Sequence, residues 1–549
     1  MSRETESTVK NNKFSLYKKK LKYGSIATVI TVVFIVFVIV INLIAGILTE
    51  RKNLKLDLTK EKFYEVSDKT TDYLKTIDQD VEIALMGKKA DYETSTTYAK
   101  MIVEILERYK QGSEHISVEF YDIASNPDVV TKYSQNYNGS IQEGNIVVSS
   151  GNKVKVMTID DLFTFEQTAY GTSSIKGFNG EQLLTSAVMS VTNVNPKKVG
   201  FITFYNNQYI YNGLNKNSID KLNTILSLNG YEIDQLDIFS NEISPEKYDM
   251  VVLPAPSTDI SEDCIKKLED FLYNGGNLDK NMIYIADIFQ YRTPNIDEFL
   301  EVWGIKIGDE QIVESDESKI QNVVISLGDG LAKVPSAISF IADEKYGENL
   351  SNTKLPIVTP NARSINLLFD ANVDRTTTAL LKTSDTTYLY PLQRKDSPNL
   401  DENLLDLNLD ENQETTEAET EAATEATTEF DPDSAEKGSQ VVMALASKTS
   451  MDENNQQHVN NVLVIGGSAF TDDNIISANL YNNAEFLINT INDISGNDNG
   501  IIIADKNITF DYIDIKASQA RVINRVIMFV IPLSVCVVGV IVFIRRKNR

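Results

Sequence analysis

The chain alternates between two kinds of apolar pattern. One is the uninterrupted run. IATVITVVFIVFVIVINLIAGIL at 26–48 and VIMFVIPLSVCVVGVIVFI at 526–544 are almost wholly apolar. At 1.5 Å per residue each is long enough to cross a hydrocarbon core of about 30 Å. The other kind lies between them, where short apolar runs alternate with stretches of helical spacing. Ser67 is placed to cap a helix carrying Leu74 and Ile77, VEIALMG at 81–87 predicts a buried strand, and Met101, Ile102, Ile105, Leu106 and Tyr109 share a helix face. Residues 115–123 alternate as a strand, and NIVVSS and KVKVMTI predict a hairpin across Gly151-Asn152. This is a small α/β domain.

A second α/β pattern follows a helix at 181–194. Strands are expected at 197–205, 231–238, 248–256 and 281–288, separated by helices at 218–228 and 261–272 that Asn229-Gly230 and Asn274-Gly275-Gly276 terminate. Strands alternating with helices predict crossover units and a parallel sheet. From 305 to 393 the pattern breaks into short strands (VVISL, PIVT, INLLFD, TTALLKTS), read as an antiparallel extension. NVLVIGGSAF at 461–470 is a late buried strand with a Gly-Gly exit, 483–494 is a helix, and IIIADK is a last strand. Resumption of the pattern after a break predicts one sheet completed by a late strand.

Charge changes the picture in three places. Lys10, Lys13, Lys18, Lys19, Lys20 and Lys22 precede the first apolar run, and Arg545, Arg546, Lys547 and Arg549 follow the second. By the positive-inside rule both termini are cytoplasmic and everything between the runs is extracytoplasmic. Arg51, Lys52, Lys55, Arg521 and Arg525 argue the other way but are outweighed. The first run is too long for a signal-peptide core, and no cleavage site or lipidation cysteine follows it. The chain is thus expected to be a two-pass plasma-membrane protein. The stretch 396–437 holds fifteen acids against one base and cannot bury a core, so it reads as a disordered insertion, the alternative being a cation- or partner-binding tail. Finally, 52 Lys+Arg against 78 Asp+Glu, a net charge of −26, argues against nucleic acid as a partner.

Candidate chemistry is sparse. Two His and two Cys leave little for a metal centre, and Cys264 and Cys536, one outside and one in the membrane, cannot pair. No catalytic residue, metal site or cofactor is expected. Gly466-Gly467-Ser468 follows a strand as a phosphate loop would but lacks the Walker Lys-Ser/Thr, so a tight backbone turn competes with ligand binding there. Cys264 lies on a helix rather than at a strand-to-helix elbow, with no local partner motif around His115 or His458. The acid pairs Asp160-Asp161 and Asp472-Asp473 could hold a divalent cation or be plain loop residues. Tyr205, Asn206, Asn207 and Gln208 open an aromatic, amide-rich loop at a strand's carboxyl end, the edge where open α/β sheets take ligands, and form the best candidate binding rim. Asn42 is polar within the first apolar run and is positioned to bond a partner helix.

Four segments in order resemble the Gldg family, bacterial auxiliary components of an uncharacterised ABC-type transport system named for gliding motility: NLIAGILTERKNLKLDLTKEKFYEVSDKTTDYL at 42–74, GEQLLTSAVMSVTN at 180–193, the run 228–278, and VLVIGGSAFTDDNI with NNAEFLINTINDI before the second apolar run. The resemblance implies a glutamine-amidotransferase-like sheet without catalytic residues. It also implies two partners, an ABC permease and a separate ATPase subunit. With the apolar, helical-spacing and charge patterns above, the chain divides into a basic tail (1–25), a membrane helix (26–48), an α/β domain (54–194), the amidotransferase-like domain (196–395, completed by 441–505 after the insertion 396–440), a juxtamembrane segment (506–525), a membrane helix (526–544) and a basic tail (545–549). This sequence departs from the family at Tyr205-Asn206-Asn207-Gln208, where a Gly-His-Gly-Glu-like turn is usual, and at Gly467-Ser468-Ala469-Phe470, where an Asp-Ser-x-Phe pattern is usual. The expected function is a non-enzymatic auxiliary subunit. The alternatives are a free-standing membrane-tethered ligand-binding or sensing ectodomain and, last, a degenerate hydrolase.

Overall fold

The computed structural model describes residues 65–167, 173–396, 430–478 without 433, 480–497, and short pieces at 32–40, 503, 506–507 and 544–545. The chain divides into two units, Met1–Glu65 and Val66–Arg549. In the first, the described residues between 32 and 40 are helical, with exposed apolar side chains such as Phe34 and Phe37. Among the described residues no helix is long and apolar enough to cross a membrane. Asn42, most of 26–48 and nearly all of 526–544 lie outside the described residues.

The second unit starts with α1 (Asp68–Lys75), whose Ser67 cap accepts the Thr70 amide as its sequence predicts. Strand β1 (Val81–Leu85), helices α2 (Lys89–Thr94) and α3 (Thr97–Gly112), strand β2 (Ile116–Phe120), helix α4 (Pro127–Ser134) and the hairpin β3 (Asn145–Ser150) and β4 (Lys153–Thr158) complete the first subdomain. Its sheet has the order β2-β1-β3-β4, with β1 and β2 parallel. Helix α3 buries Met101, Ile102, Ile105, Leu106 and Tyr109, the face its spacing predicts. A hairpin that the apolar pattern does not signal follows: β5 (Phe163–Gln167) and β6 (Ser173–Phe178). Helix α5 (Gly180–Thr192) is buried along most of its length because it packs on β3 and β4 on one side and on the next helix, α6 (Lys216–Leu228), on the other.

The main sheet is built from β7 (Lys198–Tyr205), β8 (Gln208–Tyr209), β9 (Glu232–Asp237), β10 (Met250–Pro254) and, after helix α7 (Glu262–Tyr273), β11 (Asn281–Ile285). Helix α8 (Pro294–Val302) leads to the strands β12 (Ile305–Glu314), β13 (Ile320–Leu327), β14 (Gly330–Ile341), β15 (Ile357–Val358), β16 (Arg363–Leu367), β17 (Ala371–Asn372), β18 (Arg375–Thr383) and β19 (Thr387–Pro391). After the insertion come β20 (Val441–Met451), β21 (Gln457–Ile465), the short α9 (Asp473–Ile476), α10 (Asn483–Ser495) and β22 (Lys506–Asn507).

The parallel part runs β9-β7-β10-β11-β21. In chain order this is 2-1-3-4-5, the doubly wound arrangement with its switch point between β7 and β10. Strands β10 and β11 are buried at every residue, which is why they read as continuous apolar runs rather than alternating ones. The late strand β21 docks beside β11, as the resumed pattern predicts. Antiparallel strands β20, β18, β14 and β13 extend the sheet on the far side. Strand β22 pairs antiparallel with β6 in a three-stranded sheet, which ties Lys506 and Asn507 to the folded unit.

The acidic stretch is anchored at its far end on β19. It departs after β19, and Phe430 returns to stack on Tyr388 (6.0 Å between ring centroids) and meet Tyr390 edge-on (5.1 Å). The rest of that stretch lies outside the described residues.

Candidate functional site

The carboxyl edge of the parallel strands is where the fold class places ligands, and the chain itself occupies it. The loop after β7 is a tight two-residue turn: Asn206 and Asn207 both take positive φ (52° and 63°), as a type I′ hairpin requires. Their amides donate to the two carboxylate oxygens of Asp237 at the end of β9, at 3.0 and 2.6 Å. Burial pulls the Asp237 pKa up, but the Asn207, Phe239 and Asn206 amides outweigh it and hold the carboxyl below its ordinary value. Tyr205 packs edge-on to Phe239, and Gln208 is exposed on β8. The chain then folds over the switch point: Ile210 and Tyr211 are buried, Tyr211 bridges Pro256, and the Ser257 amide donates to Ile210 O at 2.7 Å.

At the ends of β11 and β21 the same edge is filled by a polar network. Asp287 is buried and accepts from the Ser468 hydroxyl at 2.5 Å and the Phe289 amide at 2.8 Å. Burial pushes its pKa up. Gln290 receives Arg363 Nη1 at 3.1 Å and donates to Pro256 O at 2.8 Å. Arg363, fully buried at the start of β16, also donates to Gly308 O at 3.0 Å, and burial followed by its neighbour Arg394 draws its pKa down. Arg394 lies over this network like a strap. It donates to Asp309 at 2.6 Å, to Gln290 O at 3.2 Å and to Tyr291 O.

Gly466 and Gly467 face this packing directly. A Cβ on Gly466 would lie 2.7 Å from Arg363 O, and one on Gly467 would lie 2.9 Å from Asn361 O. The two glycines admit the 361–363 backbone, and Arg363 N donates to Gly466 O at 2.8 Å. Ser468 is buried against Asp287. The predicted rim and the predicted Gly-Gly-Ser exit therefore lie on one edge, but each is engaged with its own chain.

The amino edge differs. A cleft of 690 Å³ opens there, lined by Lys197, Asp249, Asp279 and Asn281 before or at the strand starts, by Ser447 and Thr449 of β20, and by Lys345, Tyr346 and Asp493. Asn461 Nδ2 donates to Asn281 Oδ1 at 3.0 Å, and the Ser447 hydroxyl donates to Asn461 Oδ1 at 2.7 Å. Lys345 pairs with Asp493 at 2.7 Å. His458 Nδ1 meets Asp279 at 2.5 Å with Asp452 3.8 Å from Nε2, and the Asp279 hydrogen bond raises the His458 pKa. Sequence reasoning missed this surface because its residues come from eight separated segments. It also missed Asp287 and Arg363, whose signal was a lone charge at the end or start of an apolar strand, and Arg394, which sits in a charged run after β19.

The remaining candidate residues are engaged within the fold. Cys264 is buried, its Sγ 3.6 Å from Ile238 O, and burial raises its pKa, which keeps the thiol protonated. His115 is engaged by Asp80 at 3.1 Å. Asp472 is a buried structural acceptor for the Ser326 and Asn474 amides, and Asp161 closes a turn with Thr158. Among the described residues no group of three or more His, Cys, Asp or Glu side chains is placed to hold a metal ion.

Comparison with known proteins gives two family matches. Residues 196–490 match the model described as an ABC-type uncharacterized transport system, and residues 60–162 match a domain of unknown function, DUF7088. No curated protein matches the chain. Among solved structures, the chain is similar to one titled mmIFT52 N-terminal domain (12% identity, 56% of this chain and 100% of that one, TM-score 0.33). It is also similar to a putative ThuA-like protein from Bacteroides uniformis (14%, 55% and 92%, TM-score 0.28) and to a putative GMP synthase protein from Thermoplasma acidophilum (10%, 36% and 80%, TM-score 0.19).

Proposed function

Because the chain belongs to the ABC-type uncharacterized transport system family, matched over more than half its length, we propose that it is a non-enzymatic auxiliary subunit, held in the plasma membrane by 26–48 and 526–544, with its α/β region outside. The observation that carries the reading is the family match over the doubly wound domain. The long apolar runs with basic outer flanks support the anchors, and the exposed apolar side chains at 32–40 agree with them. The protein carries no Walker motif, so the ATPase is a separate chain beside a separate permease. The filled carboxyl edge and the protonated, buried Cys264 support a contact role over a hydrolytic one. The open polar cleft at the amino edge is the surface we assign to substrate or envelope partners.

Affinity purification of the intact chain in mild detergent tests this. The expected result is stoichiometric recovery of an ABC permease and ATPase. Recovery of the chain alone, under conditions that keep a control transporter together, would transfer the assignment to a free-standing ligand-binding ectodomain. The 690 Å³ cleft is the observation that keeps that second reading.

A further inference from the structure

The two ends of the folded unit meet at one buried carboxylate. Glu181 stands in the first turn of α5, 2% exposed. Its Oε1 accepts the Ser67 amide at 2.6 Å and the Thr70 hydroxyl at 2.7 Å, both from the arm that enters the fold. Its Oε2 lies 3.2 Å from Lys506 Nζ, on β22 in the arm that leaves. The next residue repeats the tie, because Gln182 Oε1 accepts the Ile503 amide at 2.6 Å. Thr70, Thr185 and Tyr109 seal the carboxylate from water, and Tyr109 donates to Glu181 O at 2.8 Å. A charge held this deep is stable only while its partners remain in place.

We propose that Glu181 is a clasp that couples the entering and leaving arms, so that the two apolar segments beyond them act on the fold as one unit. Helix α5 is suited to receive that action, because it packs between the first sheet and α6 of the second subdomain. A second tie reaches further: Lys69 of α1 pairs with Glu485 in the first turn of α10, and the other end of α10 supplies Asp493 to the cleft. The geometry stands alone, but its purpose rests on the reading of 26–48 and 526–544 as anchors.

Hydrogen exchange on the full chain in detergent tests the clasp by perturbing one arm and observing the other. Lys506→Met is expected to speed exchange of amides 67–71 at least tenfold, and Thr70→Val is expected to do the same at 503–507. Amides of β1 (Val81–Leu85) should keep their protection in both. If Lys506→Met unfolds the domain, the milder Thr70→Val decides the matter. Acceleration confined to the substituted arm would overturn the clasp. Co-purification from the same preparations separates the two proposals. Uncoupled arms with permease retained remove the clasp alone, whereas coupled arms without permease remove the auxiliary role alone.

Discussion

The two ends of one parallel sheet have opposite characters. At the carboxyl edge, strand-end residues point inward and bond to one another, and Arg394 straps the network from above. At the amino edge the strand starts are polar, partly paired and open to a 690 Å³ cleft. Doubly wound folds take ligands at the first of these edges. Here the loops after β7, β10, β11 and β21 are short enough to close on themselves, so the groups that would face a ligand are used for folding. The lesson is that the position of a site in a fold class is a prior about loops, and loops are read one residue at a time.

If the carboxyl edge is structural, substitutions there should cost stability. Arg363→Ala is the strongest case, since it opens a cavity, takes the Arg363 donor from Gly308 O and leaves Gln290 Oε1 with only the Asp287 amide. Unpaired buried acceptors cost about 1–3 kcal/mol each, and a loss of about 4 kcal/mol is expected from denaturant midpoints. Gly466→Ala should cost about 1–3 kcal/mol, because its methyl meets the Arg363 carbonyl, which belongs to backbone and cannot turn aside. A variant as stable as wild type would show that the edge yields, weakening the contrast.

At the amino edge the costs should be smaller. Asn461→Ala removes bonds to Ser447 and Asn281 and should cost about 1–2 kcal/mol in the same assay. Lys345→Ala breaks an exposed pair with Asp493 and should cost about 0.5 kcal/mol or less. His458 gives the smallest effect and the clearest sign. Its folded pKa is raised above the ordinary 6.5, so its contribution is fully present below that pH and is lost as pH rises through the folded value. His458→Gln should flatten that slope in a pH series of thermal midpoints. An unchanged slope would assign it to other groups.

Much of this architecture was legible in the residues. Strands β7, β10, β11 and β21 announced themselves as apolar runs, and helices α6 and α7 by their spacing and their Asn-Gly stops. The hairpin β5–β6 and the long β14 were not legible, since Gly171 and Gly177 interrupt one pattern and Lys333 and Pro335 the other. The site was less legible still. Asn206 and Asn207 were visible as a loop, but the carboxylate that holds them comes about thirty residues later, at Asp237. Asp287, Arg363 and Arg394 meet only because β16 and the strap after β19 return to the ends of β11 and β21. No local window contains such a meeting.

The central claim is that the open amino edge, and not the filled carboxyl edge, is the contact surface. Photo-crosslinking in living cells tests it most directly, with a benzophenone side chain at Thr449 in the cleft and, in a second chain, at exposed Gln208 on the opposite edge. The account predicts adducts with substrate or with another component of the transport system from position 449 and none from 208. Adducts from 208 with 449 silent would contradict it.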